Sequence, residues 1–335
     1  MKTLTQKITM QQLAEIAGIS IATVSRVLNG SEKVSEGTKK KVLDLAKEYN
    51  FQPNETARTM AQGKSHMIAV VLPDIVNPYF SLLLQYLEEL CEKNGYTMIF
   101  FNSNGDTEKE KLIVQKMIAR QIDGLLITMT KVDSETIPLL KDVPFPVVVM
   151  TRAMKNLDSV GIDHIKGGAL AADYLLQKNV EKFCYFGLEE DEKYWGFRDE
   201  LLKNGISNDR IEIIGNQNWY FNSIENGAMI LRNYIRNNIK NCKIGLFCVN
   251  DMYATHAVSE AQSNGIKIPD ELSIVGFDNT MLCEICYPKL TSIFQPLDEI
   301  AKDSFEILMH RIEEKNLSSA PEVINLVPRI VVRGT

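Results

Sequence analysis

Apolar residues recur every three or four positions through the first fifty residues, a pattern that predicts short helices packed on a small core. In the run MQQLAEIA, Leu13, Ile16 and Ala17 fall on one helical face. Thr9 precedes this run and can cap the first turn of the helix. Gly18 follows it and suits the left-handed conformation in which helices commonly end.

A second helix is predicted from its cap, Ser20, to about Leu28. Its apolar face carries Val24, Val27 and Leu28, and the remaining positions are Ile21, Ala22, Thr23, Ser25, Arg26 and Asn29. A small residue at Ala14, a turn residue at Gly18 and an apolar plug at Val24 are the spacing of a helix-turn-helix, whose two helices cross steeply. An αα-hairpin without a DNA role is the alternative.

A third helix is predicted in SEGTKKKVLDLAKEYNF, where one face carries Val42, Leu45, Ala46 and Tyr49. Pro53 stops it, and Asn54 can cap a brief further helix that ends near Gly63. A helix of roughly eight residues is too short to be stable alone. We therefore expect this segment to become ordered only against a second subunit or DNA.

From about residue 65 onward, apolar runs alternate with helical patterns. The first series has the strand-like runs MIAVVLPD, YTMIFFNS, GLLITM and PVVVM, with helices over 78–93 and 107–120. The second has KFCYFGL, IEIIG, KIGLFCVN and LSIVGFD, with helices around 196–202, 223–234 and 252–263. Alternation of this kind predicts parallel sheets covered by helices on both faces, and two series predict two lobes.

Charge is divided unevenly along the chain. Residues 1–64 hold ten Lys and Arg against six Asp and Glu, a charge of +4, whereas the remaining 271 residues carry −10. A basic first segment on an acidic body is typical of a DNA-contacting head attached to a larger domain. A solvated charged face could give the same +4, so this pattern alone is weak support.

Several function classes find no support in the sequence. The 335 residues suggest two or three domains, and no apolar run approaches the length of a membrane span. The N-terminus lacks the features of a signal peptide, so we expect a cytoplasmic protein. Cys283 and Cys286 form a single CxxC without a second ligand pair, and HExxH, GxSxG and GxGxxG are absent. We expect no enzymatic activity, no metal and no cofactor.

Polar and aromatic residues follow the predicted strands, at the edge where open α/β sheets bind ligands. They include Tyr79, Phe80, Asn102, Arg152, Trp219, Asn250 and Asp278. Aromatic rings that cover a sugar face, together with planar groups that bond its hydroxyls, would suit a polyhydroxylated ligand. Asp and Asn after strands also commonly cap the next helix, and this simpler role competes at each single position.

The head and the body both resemble one known family. The runs ITMQQLAEIAGISIATVSRVLNG, VSEGTKKKVLDLAKEYNFQPN and ARTMAQGKS resemble the head of the lac repressor (LacI/GalR) family of bacterial transcription regulators. The runs IAVVLPDIVNPYF, GIKIPDELSIVGFDNT and YPKLTSIFQP resemble its effector-binding core, which is similar to periplasmic sugar-binding proteins. The resemblance implies an all-α helix-turn-helix head joined to an α/β core of two doubly wound parallel-sheet lobes.

The resemblance also implies boundaries and DNA contacts. The head is expected over 1–53, a hinge helix over 54–64 and the core over 65–335. The first lobe would take about 65–161 and 294–323, and the second about 162–293 and 324–335. Ile21, Ala22 and Arg26 would face base edges, and Arg26 would donate to guanine, a contact worth roughly 1–3 kcal/mol of discrimination. The other implied DNA contacts are Thr9, Thr23, Ser25, Asn29 and, in the hinge, Asn54, Ala57 and Met60. Met60 replaces the family's usual leucine wedge.

In the core the family implies effector contacts at Tyr79, Phe80, Arg152, Asn250 and Asp278, with one aromatic residue from Trp219 to Phe221. Lys193 stands where the family commonly has arginine, and a lysine is a point charge without the bidentate fork. Ligand identity therefore does not carry over.

The sequence thus favours a homodimeric repressor that binds operator DNA and is controlled by a small polar effector, a sugar or a sugar derivative. Control by a protein partner or a purine-type corepressor is an alternative. So is a sugar-binding protein with a vestigial head.

Overall fold

The computed structural model describes residues 8–28, 31, 33–51, 64–131, 134–215, 224–239, 242–314 and 320–335. The chain divides into two compact units, Met1–Ser65 and His66–Thr335. The first unit contains three helices, α1 (Met10–Ala17), α2 (Ile21–Leu28) and α3 (Glu36–Glu48). The predicted hinge helix falls in 52–63, outside the described residues. None of the described helices is long and apolar enough to cross a membrane.

The caps expected for the first unit are present. The Thr9 hydroxyl accepts the N–H of Gln12 at 3.2 Å, and the Gln12 amide oxygen accepts the N–H of Thr9 at 2.8 Å, which completes a capping box. Gly18 ends α1 with φ +67°, in the left-handed region that glycine adopts without cost. Ser20 accepts the N–H of Thr23 at the start of α2. Local sequence therefore fixes both ends of the turn between these helices.

A small apolar cluster holds the three helices together. Its buried members are Leu13, Ala14, Val24, Val27 and Val42, and Val24 is the central plug that the spacing predicts. The side chain of Ile16, which the pattern placed with Leu13, is instead 43% exposed. Three short helices enclose too little volume to cover a wide apolar face, so only its centre is buried.

The second unit contains two six-stranded sheets. The first lobe holds β1 (Met67–Leu72), β2 (Thr97–Asn102), β3 (Gly124–Ile127), β4 (Val147–Thr151) and β5 (Ser159–Ile162). Its helices before β5 are α4 (Pro78–Lys93), α5 (Thr107–Arg120) and α6 (Thr136–Asp142). The second lobe holds β6 (Lys182–Phe186), β7 (Ile211–Ile214), β8 (Ile244–Cys248), β9 (Leu272–Asp278) and β10 (Thr291–Phe294). Its helices are α7 (His164–Leu176), α8 (Glu192–Lys203), α9 (Ile224–Asn238), α10 (Asp251–Ser263) and α11 (Leu282–Ile285).

The last part of the chain returns to both sheets. Helix α12 (Leu297–Glu314) packs against α4, β3 and β4 of the first lobe, β11 (Val323–Leu326) pairs with β5, and β12 (Arg329–Val331) pairs antiparallel with β10. The sheet orders are β11-β5-β4-β3-β1-β2 and β12-β10-β9-β8-β6-β7. The chain thus crosses between lobes three times, after Ile162, Phe294 and Leu326. The return to the second lobe expected at residue 324 lies a few residues later, because β11 hydrogen-bonds in the first sheet.

The parallel sheets explain the apolar runs in the sequence. All residues of β3, β4, β8 and β9 are buried, since helices cover both faces of the central strands. This arrangement confirms the predicted fold of a helical head and two parallel-sheet α/β lobes. It also brings the carboxyl ends of the parallel strands in each lobe to one edge, where the polar residues after β1, β4 and β9 lie.

Candidate DNA-binding face and effector cleft

The outer face of α2 is built from small and apolar side chains around one cation. Ile21 is 46% exposed, Ala22 and Arg26 are also exposed, and Arg26 is the one charged residue of the helix. Thr23 and Ser25 are partly buried beside them. Short side chains let a helix approach base edges closely, and a guanidinium can donate two parallel hydrogen bonds to a guanine.

The other predicted DNA contacts divide into two groups. Thr9 and Thr23 already take part in helix caps, since the Thr9 hydroxyl accepts the N–H of Gln12 and the Thr23 hydroxyl lies 2.9 Å from that of Ser20. Asn29, Asn54, Ala57 and Met60 lie outside the described residues.

Two strand ends in the core leave the extended conformation at unusual backbone angles. Thr151, the last residue of β4, has φ +69°, and Asp278, the last residue of β9, has φ +107°. Positive φ is rare for non-glycine residues, especially β-branched ones, and such strain clusters at functional sites. Gly161 of β5 makes room for the first of these turns, because a Cβ there would overlap the backbone of Arg152 and Ala153.

Asp278 is the centre of a buried polar network between the lobes. Its Oδ1 accepts a hydrogen bond from the Gln295 amide at 2.6 Å, and the amide oxygen of Gln295 accepts the hydroxyl of Tyr79 at 2.9 Å. The side chain of Asn77 also hydrogen-bonds to Asp278. Tyr79 and Asn77 belong to the first lobe and Asp278 to the second, so this network bridges the cleft.

Burial dominates the ionisation of this network. It raises the pKa of Asp278 to about 8, and the nearby Asp251 acts in the same direction. Lys193 and the hydrogen bonds from Gln295 and Asn77 oppose that shift. Burial, followed by the charge of Asp278, raises the pKa of Tyr79 well above its ordinary value of 10.0. The tyrosine hydroxyl therefore stays a donor, and the carboxyl of Asp278 is largely protonated near neutral pH.

Lys193 lies inside the second lobe and is tethered there. Its ammonium donates to the carbonyl of Val249 at 2.9 Å and lies 4.2 Å from the centroid of the Phe277 ring. The Phe277 ring also stacks on His164, whose Nε2–H is placed to donate to the carbonyl of Thr151 at 3.0 Å. The position that the family commonly gives to arginine thus holds a buried cation reaching the ends of β8 and β9.

The histidine in this cluster is neutral and incompletely bonded. Burial, with the charges of Arg152 and Lys193, lowers the pKa of His164 to about 3. Its Nδ1 is buried and has no hydrogen-bond partner among the described residues. With Nε2 as the donor, Nδ1 is an acceptor, and a buried acceptor without a donor costs about 1–3 kcal/mol.

An ion pair also joins the two lobes. Nη1 of Arg152, directly after β4 in the first lobe, donates to Oε2 of Glu192 at 2.9 Å. Glu192 is the first residue of α8 in the second lobe. Asp191 caps the same helix, accepting the N–H of Lys193 at 3.0 Å and the hydroxyl of Tyr185 at 3.0 Å. Burial acts to raise the pKa of Asp191, but the charges of Lys193, Arg152 and His164 outweigh it and lower that pKa.

The structure thus brings together Tyr79, Arg152, Lys193 and Asp278, with Phe80 against Tyr79 at a ring-centroid distance of 5.1 Å. Asn250 caps α10 by accepting the N–H of Tyr253 at 3.1 Å, the simpler role considered for residues after strands. The side-chain oxygen of Asn102, at the end of edge strand β2, accepts the N–H of Asn104. Trp219 lies outside the described residues.

The sequence pattern does not single out Asn77, His164 or Gln295, whereas the acidic run that contains Glu192 is expected near the mouth of the pocket. His164 follows β5 and Gln295 follows β10, so the rule of inspecting strand ends would have found both had those strands been recognised. Asp251, which also follows a predicted strand, has a structural role. It accepts the N–H and hydroxyl of Thr280 at 2.6 and 3.0 Å and the hydroxyl of Ser292 at 2.6 Å.

Cavities in the described core are small at this edge. The one beside Asp278, Gln295 and Tyr86 has a volume of about 70 Å³. Small-molecule sites usually enclose about 300–1,000 Å³, so a sugar-sized ligand would require the lobes to part. A larger cavity of about 280 Å³ lies at the opposite end of β4, beside the ion pair of Arg311 and Asp158.

Comparison with known proteins agrees with both units. A family model for bacterial regulatory proteins of the lacI family matches residues 9–54, and one for a periplasmic binding protein-like domain matches residues 172–335. Catabolite control protein A of Staphylococcus epidermidis is 32% identical, with 98% of this chain and 99% of the relative covered.

Solved structures show the same fold. A LacI family regulator from Enterococcus faecium with bound ribose has a TM-score of 0.69 and 26% identity, over 80% of this chain and 97% of that one. A lac repressor dimer bound to operator and the anti-inducer ONPF has a TM-score of 0.82 at 22% identity, over 98% and 99%. From the head, the core and a relative that matches along its full length, we conclude that the chain belongs to the lacI family of bacterial regulatory proteins, as a DNA-binding transcriptional regulator and not an enzyme.

Proposed function

We propose that the protein is a homodimeric repressor whose binding to a roughly palindromic operator is controlled by a small polar effector, a sugar or sugar derivative, held between the core lobes. The observation that carries the proposal is the polar network from Asn77 and Tyr79 to Asp278, which joins the lobes at the carboxyl ends of their strands. A ligand that replaced these contacts would change the relative positions of the lobes. Control requires only a difference in effector affinity between two states of the core.

On the DNA side, Ile21, Ala22 and Arg26 would face base edges in the major groove. Thr9, Thr23 and Ser25 would contact phosphates, which fix orientation more than sequence. Asn29 would join them, and Asn54, Ala57 and Met60 would act at the minor groove. Two such heads would read two half-sites about one helical turn, or a multiple of it, apart.

Arg26→Ala tests the DNA side against Lys47→Ala, which removes an exposed cation from α3. After operator selection from a random DNA pool, fluorescence anisotropy would measure the affinity of each variant for matched and mismatched sites. Arg26→Ala should cost about 1–3 kcal/mol on the selected site and relax the preference at one base pair. Lys47→Ala should leave that preference intact. An unchanged preference in Arg26→Ala would refute the assigned role.

On the effector side, Tyr79, Phe80, Arg152, Lys193 and Asp278 would contact the ligand, with Asn102, Asn250 and Trp219 at its periphery. A thermal-shift screen of sugars, sugar acids, sugar phosphates, nucleosides and purines would identify it. A ligand specific for the native state at 100 times its Kd adds about 2.7 kcal/mol of stability. Asp278→Ala should abolish the shift, whereas Asp270→Ala, an exposed carboxylate just before β9, should retain it.

Exposed apolar side chains on the second lobe support self-association. Met281, Ile285 and Tyr287 lie within seven residues of one another around α11 and are 67%, 68% and 82% exposed. Exposed apolar side chains grouped along a short stretch of surface commonly mark a protein interface. Ile285→Asp should shift sedimentation toward the monomer and weaken operator binding. Val332→Asp, at another exposed apolar position, should do neither.

A further inference from the structure

The ion pair between Arg152 and Glu192 joins side chains from different lobes. Arg152 comes directly after the strained end of β4, and Glu192 begins α8 of the second lobe. The two side chains are 26% and 34% exposed, so solvent reaches the pair. A partly exposed ion pair is weak enough to exchange partners, since such pairs contribute at most about 1 kcal/mol.

The charged groups near this ion pair favour the binding of an anion. Lys193, the next residue along α8, is buried, and its ammonium has a backbone carbonyl and an aromatic ring as partners among the described residues. The neighbouring carboxylate of Asp191 already accepts from the Lys193 N–H and the Tyr185 hydroxyl. Asp278 is largely neutral near pH 7 because burial raises its pKa to about 8, and Asp251 accepts hydrogen bonds from Thr280 and Ser292. With Glu192 moved aside, Arg152 would lose the ion-pair partner that the described residues give it, and its charge would add to that of Lys193 in attracting an anion.

The surrounding groups also suit hydroxyls. Nδ1 of His164 is a buried acceptor without a hydrogen-bond partner among the described residues, and it lies close enough to Arg152 and Lys193 for their charges to lower the pKa of its ring. The Asp278, Gln295 and Tyr79 network offers both donors and acceptors once its internal bonds are broken. A molecule with one anionic group and several hydroxyls would satisfy these atoms better than a neutral sugar.

We propose that Glu192 is an internal substitute for the anionic group of the effector, and that the effector is a polyhydroxylated anion whose carboxylate or phosphate displaces Glu192 from Arg152. The inference rests on the proposed function, in that it places the effector between the lobes. It specifies the charge of the ligand. It also makes the Arg152–Glu192 ion pair a latch, a contact that holds the cleft closed when no effector is bound. Effector binding exchanges one Arg152 ion pair for another and releases the carboxylate of Glu192 to solvent.

Calorimetric titration of the full-length protein tests this with matched probes: D-gluconate, D-glucose 6-phosphate and D-glucose, and D-ribonate, D-ribose 5-phosphate and D-ribose. Glu192→Gln keeps the shape of the side chain and removes its charge. Glu189→Gln removes the charge of an exposed glutamate three residues earlier. At least one anionic probe should bind, and Glu192→Gln should tighten it about fivefold, as expected for loss of a competing ion pair worth about 1 kcal/mol. The affinity for the neutral parent sugar should not increase in Glu192→Gln, and Glu189→Gln should leave the affinity for every probe unchanged.

The carboxylate and phosphate probes distinguish the two possible anionic groups, because the tighter-binding probe of each pair identifies the group that the site prefers. Arg152→Gln should remove both the anion's affinity and the gain from Glu192→Gln. Equal gains in Glu192→Gln and Glu189→Gln would refute the latch, since long-range charge alone would explain them. Failure of every anionic probe to bind any variant would overturn the proposed ligand class. If a neutral sugar binds and alters operator affinity while no anion does, the proposed function stands and this inference fails.

Discussion

Replacing Asp278 by asparagine should flatten the pH dependence of the core's stability between about pH 6.5 and 8. Burial raises the pKa of Asp278 from its ordinary value of 3.8 to about 8 in the folded protein. In this window the folded state therefore holds a proton that the unfolded state has lost. Stability falls as pH rises whenever the folded state binds more protons. The contribution of Asp278 is thus fully present below about pH 4 and is lost as pH rises through 8.

His164 acts in the opposite direction at lower pH. Burial and the neighbouring cations lower its pKa from 6.5 to about 3, so between these values the unfolded state binds the extra proton. Its effect is that stability rises with pH up to about 6.5. The two contributions oppose each other from about pH 4 to 6.5, and above that range the contribution of His164 levels off while that of Asp278 continues to fall. Linkage at about 1.36 kcal/mol per pH unit, reduced as the folded group itself titrates, gives a loss on the order of 1–2 kcal/mol from Asp278 between pH 6.5 and 8.

Urea unfolding followed by tryptophan fluorescence would measure this effect in the core, because both tryptophans, Trp195 and Trp219, lie there. The stability of the wild type relative to Asp278→Asn should fall by an amount on the order of 1–2 kcal/mol from pH 6.5 to 8. Asp270→Asn, which changes an exposed carboxylate near the other end of β9, should follow the wild type. A constant difference between wild type and Asp278→Asn would refute the raised pKa.

Three further predictions concern stability. Leu13→Ala should destabilise the head by about 2–5 kcal/mol and weaken operator binding, whereas Ile16→Ala, at an exposed position on the same helix, should cost little; hydrogen exchange of head amides would measure both. Gly18→Ala should destabilise the head by about 1 kcal/mol on the same measurement, because the φ of +67° at this position strains any residue with a Cβ. A steric clash is not the cause, since a Cβ added at Gly18 would meet no other described residue within 4 Å beyond its chain neighbours. Asp251→Ala leaves three buried donors without their acceptor and should cost about 3 kcal/mol or more in urea unfolding of the core, and a loss under 1 kcal/mol would contradict the structural role of this carboxylate.

The head could be predicted closely because its determinants are local. Thr9 and Gly18 fix the ends of α1 through contacts within four residues, and Val24 lies where the spacing places it. Ile16 could not be assigned from its period alone, since exposure depends on how far the other helices reach. The alternating apolar runs of the core likewise predicted β1 to β4 and β6 to β9, but not β5, β10, β11 and β12, which have only three or four residues each. They also did not predict α7, which contains the pair Gly167–Gly168.

The sequence indicated several residues that lie at the strand ends between the lobes, but not the residues to which they hydrogen-bond. The rule that ligands bind beyond strand ends led to Tyr79, Arg152 and Asp278, since each follows an apolar run. Their partners are set by the crossovers: Gln295 lies 216 residues from Tyr79, and Glu192 lies 40 residues from Arg152. The four acids Glu189–Glu192 can be read from the sequence as a solvated turn, but the fold places the last of them, at the start of α8, against Arg152. Only the tertiary structure distinguishes it from the others.

The most direct test of the central claim is the affinity for the selected operator with and without the ligand found by thermal shift. Our account predicts that saturating ligand changes operator affinity by about 5- to 150-fold, in either direction, and that operator DNA changes ligand affinity by the same factor. Asp278→Ala should lose that response while it still binds the operator. A ligand that stabilises the core yet leaves operator affinity unchanged would contradict effector control of this regulator.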